Sequence, residues 1–130
     1  MGSEEMTVFL LVMLSIIPAT MVIFGLVWRN HWPKTINWLY GYRTGWSTKS
    51  QETWDFAHKY IAVLWLRTGI PLWIVSIAAW LIGLRLGHST LARLTSALTL
   101  VQCVCLALPI WPTEAALKRN FDADGRSKTS

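Results

Sequence analysis

"MTVFLLVMLSIIPATMVIFGLVW", residues 6–28, holds no charged side chain. One helical crossing of a bilayer needs about 20 consecutive apolar residues, so this stretch is long enough to span by itself. Two further apolar runs, roughly Thr68–Leu86 and Leu94–Trp111, meet the same requirement. The chain is 53% hydrophobic and 15% charged, with a mean hydropathy of +0.38, too apolar for a water-soluble domain. The expected fold class is therefore an all-α membrane protein with three transmembrane helices. Its expected organisation is a single membrane domain over residues 1–130, with spans at about 6–28, 68–86 and 94–111, a polar loop at 29–67 and a tail at 112–130.

The first span differs from a secretory leader. Glu4 and Glu5 precede it where a basic segment would stand, and no small-x-small cleavage site follows. It reads as a retained anchor.

Orientation follows from the basic residues. Of the twelve Lys and Arg, the loop holds Arg29, Lys34, Arg43, Lys49, Lys59 and Arg67, and the tail holds Lys118, Arg119, Arg126 and Lys128. The turn between the second and third spans offers only Arg85 and Arg93. By the positive-inside rule the N-terminus is expected outside, with loop and tail cytoplasmic. The net charge of +5 is then accounted for by topology and anionic lipid, and nucleic acid is not an expected partner. Trp28, Trp32, Trp38, Trp46, Trp54 and Trp111 cluster near the same interface, where indole is favoured.

Other chemistries find little support. Cys103 and Cys105 lie about 200° apart around a helix and cannot bridge each other. His31, His58 and His88 have no ligand partners at metal spacing, and no nucleophile and base stand together. Neither a metal, a cofactor nor an enzymatic activity is expected. In "FDADG" of the tail, counted from Asp122 as position 1, Gly125 stands at position 4, whereas a calcium loop needs glycine at 6.

Between the first two spans lies "GYRTGWSTKSQETWDFAHKY", residues 41–60. Gly41 permits positive φ. Thr48 with Gln51, or Ser50 with Glu52 in the first turn, can begin a helix near residue 49 or 51. Trp54, Ala57, Ile61 and Trp65 then recur on one face, and Asp55 and Lys59 pair at i, i+4 on the other. This predicts an amphipathic helix before the second span, either lying on the membrane or continuing into it. A short C-terminal helix capped by Thr113 puts Leu117 and Phe121 on one face, to be covered by the membrane surface or by Trp54 and Ile61.

Gly41-Tyr42-Arg43-Thr44, followed by Ser47, Lys49, Ser50, Thr53, Trp54 and Lys59, resembles the signature loop of the SdpI family of bacterial membrane proteins. The ending "TEAALKRNFDADGR" resembles that family's C-terminus through Glu114, Phe121, Asp122, Asp124 and Gly125. The chain is similar to the C-terminal half of the longer members. The resemblance implies a multi-pass protein of the bacterial cytoplasmic membrane that protects against, or senses, a toxic membrane-active peptide without enzymatic chemistry. Its implied partners are the lipid bilayer and a toxic peptide, another membrane protein or a second copy. An accessory subunit docking on a larger membrane complex, and a small oligomeric transporter or channel, are the alternative readings.

Arg43 carries a five-donor fork suited to carboxylate or phosphate. It or Lys49 is expected to bind lipid phosphate or an acidic ligand, or to pair with Glu114, Asp122 or Asp124 and so fold the tail onto the loop. Within the membrane, Ala79, Gly83 and Gly87 form a small-residue stripe for helix approach. Gln102 should seek a partner, and Pro71 should bend its helix.

Overall fold

A computed structural model describes residues 2–128. Four helices follow one another: α1 (Ser3–His31), α2 (Gln51–Gly83), α3 (His88–Ala107) and α4 (Ile110–Asn120). Ser3–His31, Gln51–Gly83 and the run His88–Asn120 are each long and apolar enough to cross a membrane. A turn at Leu108 and Pro109 interrupts the last of these, so that α3 ends at Ala107, four residues before the expected span end at Trp111. Pro109 has no N–H to return to residue 105, which favours a break there. The amphipathic segment is the first part of α2 itself: the 33-residue helix runs without interruption through Pro71.

The chain divides into two compact units, residues 2–22 with Arg67–Ala107, and Ile23–Leu66 with residues 108–128. In the first, the interior is partly polar and the exterior apolar. Ser76, Thr95 and Gln102 are buried beside Leu10, Leu14, Met21 and Leu91, while Val8, Ile74, Leu100 and Val104 are exposed. That arrangement suits a hydrocarbon solvent, in which polar groups must be satisfied internally.

Pro18 accounts for the position of Gln102. A proline inside α1 deprives the Leu14 carbonyl of its helical donor. Gln102 Nε2 donates to that carbonyl at 2.8 Å and to Ser76 Oγ at 2.8 Å. Trp73 Nε1 donates to Ser15 Oγ and Trp80 Nε1 to the Thr7 carbonyl. The expected partner for Gln102 is therefore present.

Of the small-residue stripe, Gly83 behaves as expected, since a Cβ there would stand 2.6 Å from Leu91 Cδ1. Ala79 is partly buried on the same helix. Gly87 does not belong to the stripe. The helix has already ended, and Gly87 is an exposed turn residue at φ +100° with nothing against it.

The second unit packs around aromatic rings. Trp28, Tyr42, Ala57, Ile61, Ala62, Leu117 and Phe121 form its buried cluster. Trp28 stacks on Trp65 at 5.5 Å, and Phe56 meets Phe121 edge-on at 5.4 Å. Leu117 and Phe121 are covered as expected, with Ile61 in the cluster and Phe56 on Phe121; Trp54 packs instead on His58. Thr113 is not the cap of α4, because the helix starts three residues earlier. Its hydroxyl bonds back to the Pro109 carbonyl at 2.7 Å.

Candidate functional site

The site is the loop 41–53 with the tail that folds on it, all within the second unit. Gly41 adopts φ +124°, and a Cβ there would lie 2.8 Å from His58 Nε2 and 2.9 Å from the Trp54 ring. Only glycine satisfies both conditions at once. The close approach lets the Tyr42 N–H donate to His58 Nε2 at 2.8 Å. On the opposite side of the ring, Nδ1–H faces the Trp54 carbonyl at 2.7 Å. These two partners require the neutral tautomer with its proton on Nδ1.

Beyond Tyr42 the chain is held by hydroxyls. Ser47 Oγ donates to the Tyr42 carbonyl at 3.0 Å and accepts from the Thr44 N–H at 2.8 Å. Thr44 Oγ1 in turn accepts from the Ser47 N–H at 3.0 Å. Of the two candidate caps for α2, Ser50 is the one used. Ser50 Oγ accepts from the Thr53 N–H at 3.1 Å, and Thr53 Oγ1 accepts from the Ser50 N–H at 3.0 Å. This is a capping box with threonine in the place usually taken by Glu or Gln. Thr48 instead donates its hydroxyl to the Thr44 carbonyl.

Glu114, on α4, closes the site. Its Oε2 accepts from Tyr42 Oη and from Thr44 Oγ1, both at 3.1 Å. Burial and the adjacent Glu114 carboxylate push the Tyr42 phenol well above its ordinary range, so it remains a donor at any physiological pH.

The tail forms a tight turn. Asp122 Oδ1 accepts from the N–H groups of Asp124 and Arg126, and the Asp122 N–H donates to the Arg126 carbonyl. The Arg126 N–H bond, first, and that from Asp124 hold the exposed Asp122 carboxyl below its usual value. Gly125, at φ +80°, sits where a Cβ would meet Lys49 Cβ at 2.9 Å and Ser50 Cβ at 3.0 Å. Ser50 Oγ donates to the Gly125 carbonyl at 2.6 Å, and Lys49 Nζ to the Ala123 carbonyl at 2.8 Å.

The two sequence motifs therefore meet, though by a different chemistry from that expected. Lys49 bonds a backbone carbonyl, while Arg43 stacks on the exposed Trp38 ring at 4.4 Å. Arg43 makes no ion pair with Glu114, Asp122 or Asp124 among the described residues, because the Asp122 carboxylate turns inward to its own backbone. Asp55 and Lys59 do not pair either. Asp55 Oδ1 accepts from Trp32 Nε1 and Gln51 Nε2, and Lys59 lies over the Trp32 ring. Trp54 is buried, with its Nε1–H donating to the Pro33 carbonyl.

His58 is the central residue that motif reading passes over. The signal was present: it shares the buried face of Trp54 and Ile61 at spacings of four and three, where a polar ring needs two partners. Among the described residues no group of His, Cys, Asp and Glu is placed to hold a metal ion.

Fold and site together define a multi-pass helical membrane protein whose principal polar loop is clasped by its own C-terminal segment. A family model described as the SdpI/YfhL protein family matches residues 34–113, and the chain belongs to that family. It is 36% identical over 112 residues to the protein YfhL of Bacillus subtilis (strain 168), covering 82% of this chain and 92% of the relative. No solved structure matches it.

Proposed function

We propose that this chain is a non-enzymatic protein of the bacterial cytoplasmic membrane that protects against, or senses, a membrane-active toxic peptide, with the clasped loop as its recognition surface. Membership of the SdpI/YfhL family supports the class. The observation that carries the assignment of the surface is the convergence of Tyr42 and Thr44 on one Glu114 oxygen. Neutral hydroxyls, rather than a cation, satisfy the carboxylate. The negative charge is thereby kept at a defined place, as recognition of a cationic peptide requires.

The test is a challenge of a host lacking the gene with membrane-permeabilising peptides secreted by related bacteria. Survival should fall several-fold for at least one peptide and be restored by the wild-type chain. Glu114→Gln, which keeps the acceptor oxygen, should fold but protect less well, and Glu114→Ala should fail. Equal survival of the strains with and without the gene across the panel, with no transcriptional response to any peptide, would overturn the proposal.

A further inference from the structure

Residues 34–40, together with the Arg43 side chain, take no part in the bonding to Glu114 and form a second feature. Trp38 is 84% exposed and Leu39 98%, yet the segment that carries them is braced. Asn37 Oδ1 accepts from the N–H groups of both Leu39 and Tyr40, at 2.9 and 2.8 Å, and Asn37 Nδ2 donates to the Thr35 carbonyl. The two ends are pinned as well. Gln51 Nε2 donates to the Lys34 carbonyl, and Tyr40 Oη accepts from the buried Trp28 at 2.8 Å. An indole and a leucine are thus held outward by a built turn.

Within this stretch of sequence the charge has one sign, and the neighbouring carboxylates, Asp55 and Glu114, are engaged by Trp32 and Gln51 and by Tyr42 and Thr44. No Asp or Glu occurs between His31 and Gln51, whereas Lys34, Arg43 and Lys49 do. Lys49 is occupied by the tail, and the Lys34 ammonium lies over the Trp32 ring. Arg43 is exposed, with its guanidinium carbon over the Trp38 ring at 4.4 Å, a cation–π contact that does not use up the N–H donors a phosphate requires. The segment begins three residues after α1 ends at His31, so the lipid of the membrane that α1 enters is within its reach.

We infer that residues 34–43 form a hook for anionic phospholipid: Trp38 and Leu39 insert at the level of the headgroups, and Arg43, aided by Lys34, binds the lipid phosphate. Indole is favoured at that depth and Arg side chains extend to it with their stems in the apolar zone. A basic residue beside an inserted apolar one is the combination that interfacial anchors use. The inference is independent of the function proposed above, and of which face of the membrane bears the loop.

The test uses the full chain with Cys103→Ser and Cys105→Ser, reconstituted in nanodiscs of phosphatidylcholine with and without phosphatidylglycerol. A polarity-sensitive fluorophore is attached at Leu39→Cys or, as a control, at the exposed Glu52→Cys. Lipid brominated near the top of the acyl chain should quench the Leu39 probe at least threefold more than the Glu52 probe, and aqueous iodide should do the opposite. By native mass spectrometry, Arg43→Ala with Lys34→Ala should retain at least threefold less phosphatidylglycerol than the parent, while millimolar inorganic phosphate displaces none. Iodide quenching equal at both positions would place the tip in water and overturn the hook. Protection from both quenchers would mean that a protein covers the tip, which also overturns it. Unchanged lipid retention in the double variant, or displacement of lipid by free phosphate, would remove Arg43 and Lys34 as headgroup ligands.

Discussion

Three single residues decide how the loop is held, and each can be tested separately. At Gly41 a side chain brings both a strained backbone and a collision with His58 and Trp54. Strain of this kind costs about 1–3 kcal/mol, so Gly41→Ala should lower the melting temperature in detergent by several degrees, whereas Gly45→Ala, where nothing stands within 4 Å, should leave it nearly unchanged. At His58 the important quantity is acceptor strength. His58→Ala strands the buried Tyr42 N–H at a cost of about 1–3 kcal/mol; the check is whether the Tyr42 amide loses protection from exchange while the amides of α3 do not. Asp122 supplies a pH dependence. Its folded-state pKa is depressed by the Arg126 and Asp124 N–H groups, so the stabilisation is complete above the ordinary aspartate pKa. It is lost as pH falls through the depressed value. Protection factors of the 124 and 126 amides should stay flat near neutrality and decline in the acid range, and Asp122→Asn should abolish that dependence.

At the scale of helices, the break that Pro18 makes in the α1 ladder and the amide that mends it form a pair. Gln102→Leu leaves the Leu14 carbonyl without a donor and should destabilise the protein by about 1–2 kcal/mol. Pro18→Ala restores the N–H within α1, so in that background the same replacement should cost clearly less, a coupling that a double-mutant cycle read by thermal unfolding would measure. Strict additivity would mean that Gln102 does not compensate for the donor that Pro18 removes from Leu14. The spans themselves were legible in the sequence, because a charge-free run such as residues 6–28 has few other uses. So was the start of α2, which the two candidate caps, Thr48 and Ser50, placed near residue 49 or 51 and which falls at Gln51. The turn at Leu108 was not: the apolar run continues through it to Trp111, and hydropathy does not register a missing N–H. The partners of Arg43 and Asp122 were also illegible. Opposite charges in two motifs suggest a salt bridge, but an Asp side chain can instead accept from the backbone two residues on, as Asp122 does from Asp124. His58 was hidden by a search for ligand clusters, when its significance lies in orienting a single N–H.

For the whole molecule, the expected orientation gives a prediction that the structure sharpens. Ser47 is buried and unsuitable as a reporter, whereas Gly45 and Ser89 are exposed. In a background with Cys103 and Cys105 replaced by Ser, a membrane-impermeant thiol reagent applied to intact cells should label Ser89→Cys and spare Gly45→Cys. The reverse pattern would invert the topology. The clasp also has a bearing on biosynthesis. Every bond that closes it joins residues 70 to 75 positions apart: Thr44 and Tyr42 to Glu114, Lys49 to Ala123, Ser50 to Gly125. At about 5–20 residues per second, the ribosome delivers the loop several seconds before the carboxylate and carbonyls that complete it. During that interval α2 can enter the bilayer with its own cap in place, since Ser50 and Thr53 need only each other. Tyr42 and Thr44 must instead keep their hydroxyls in water until α3 has been threaded and α4 arrives. The loop therefore reaches its final form only in a fully translated chain, and a protein cut short before residue 114 would display the motif without the shape.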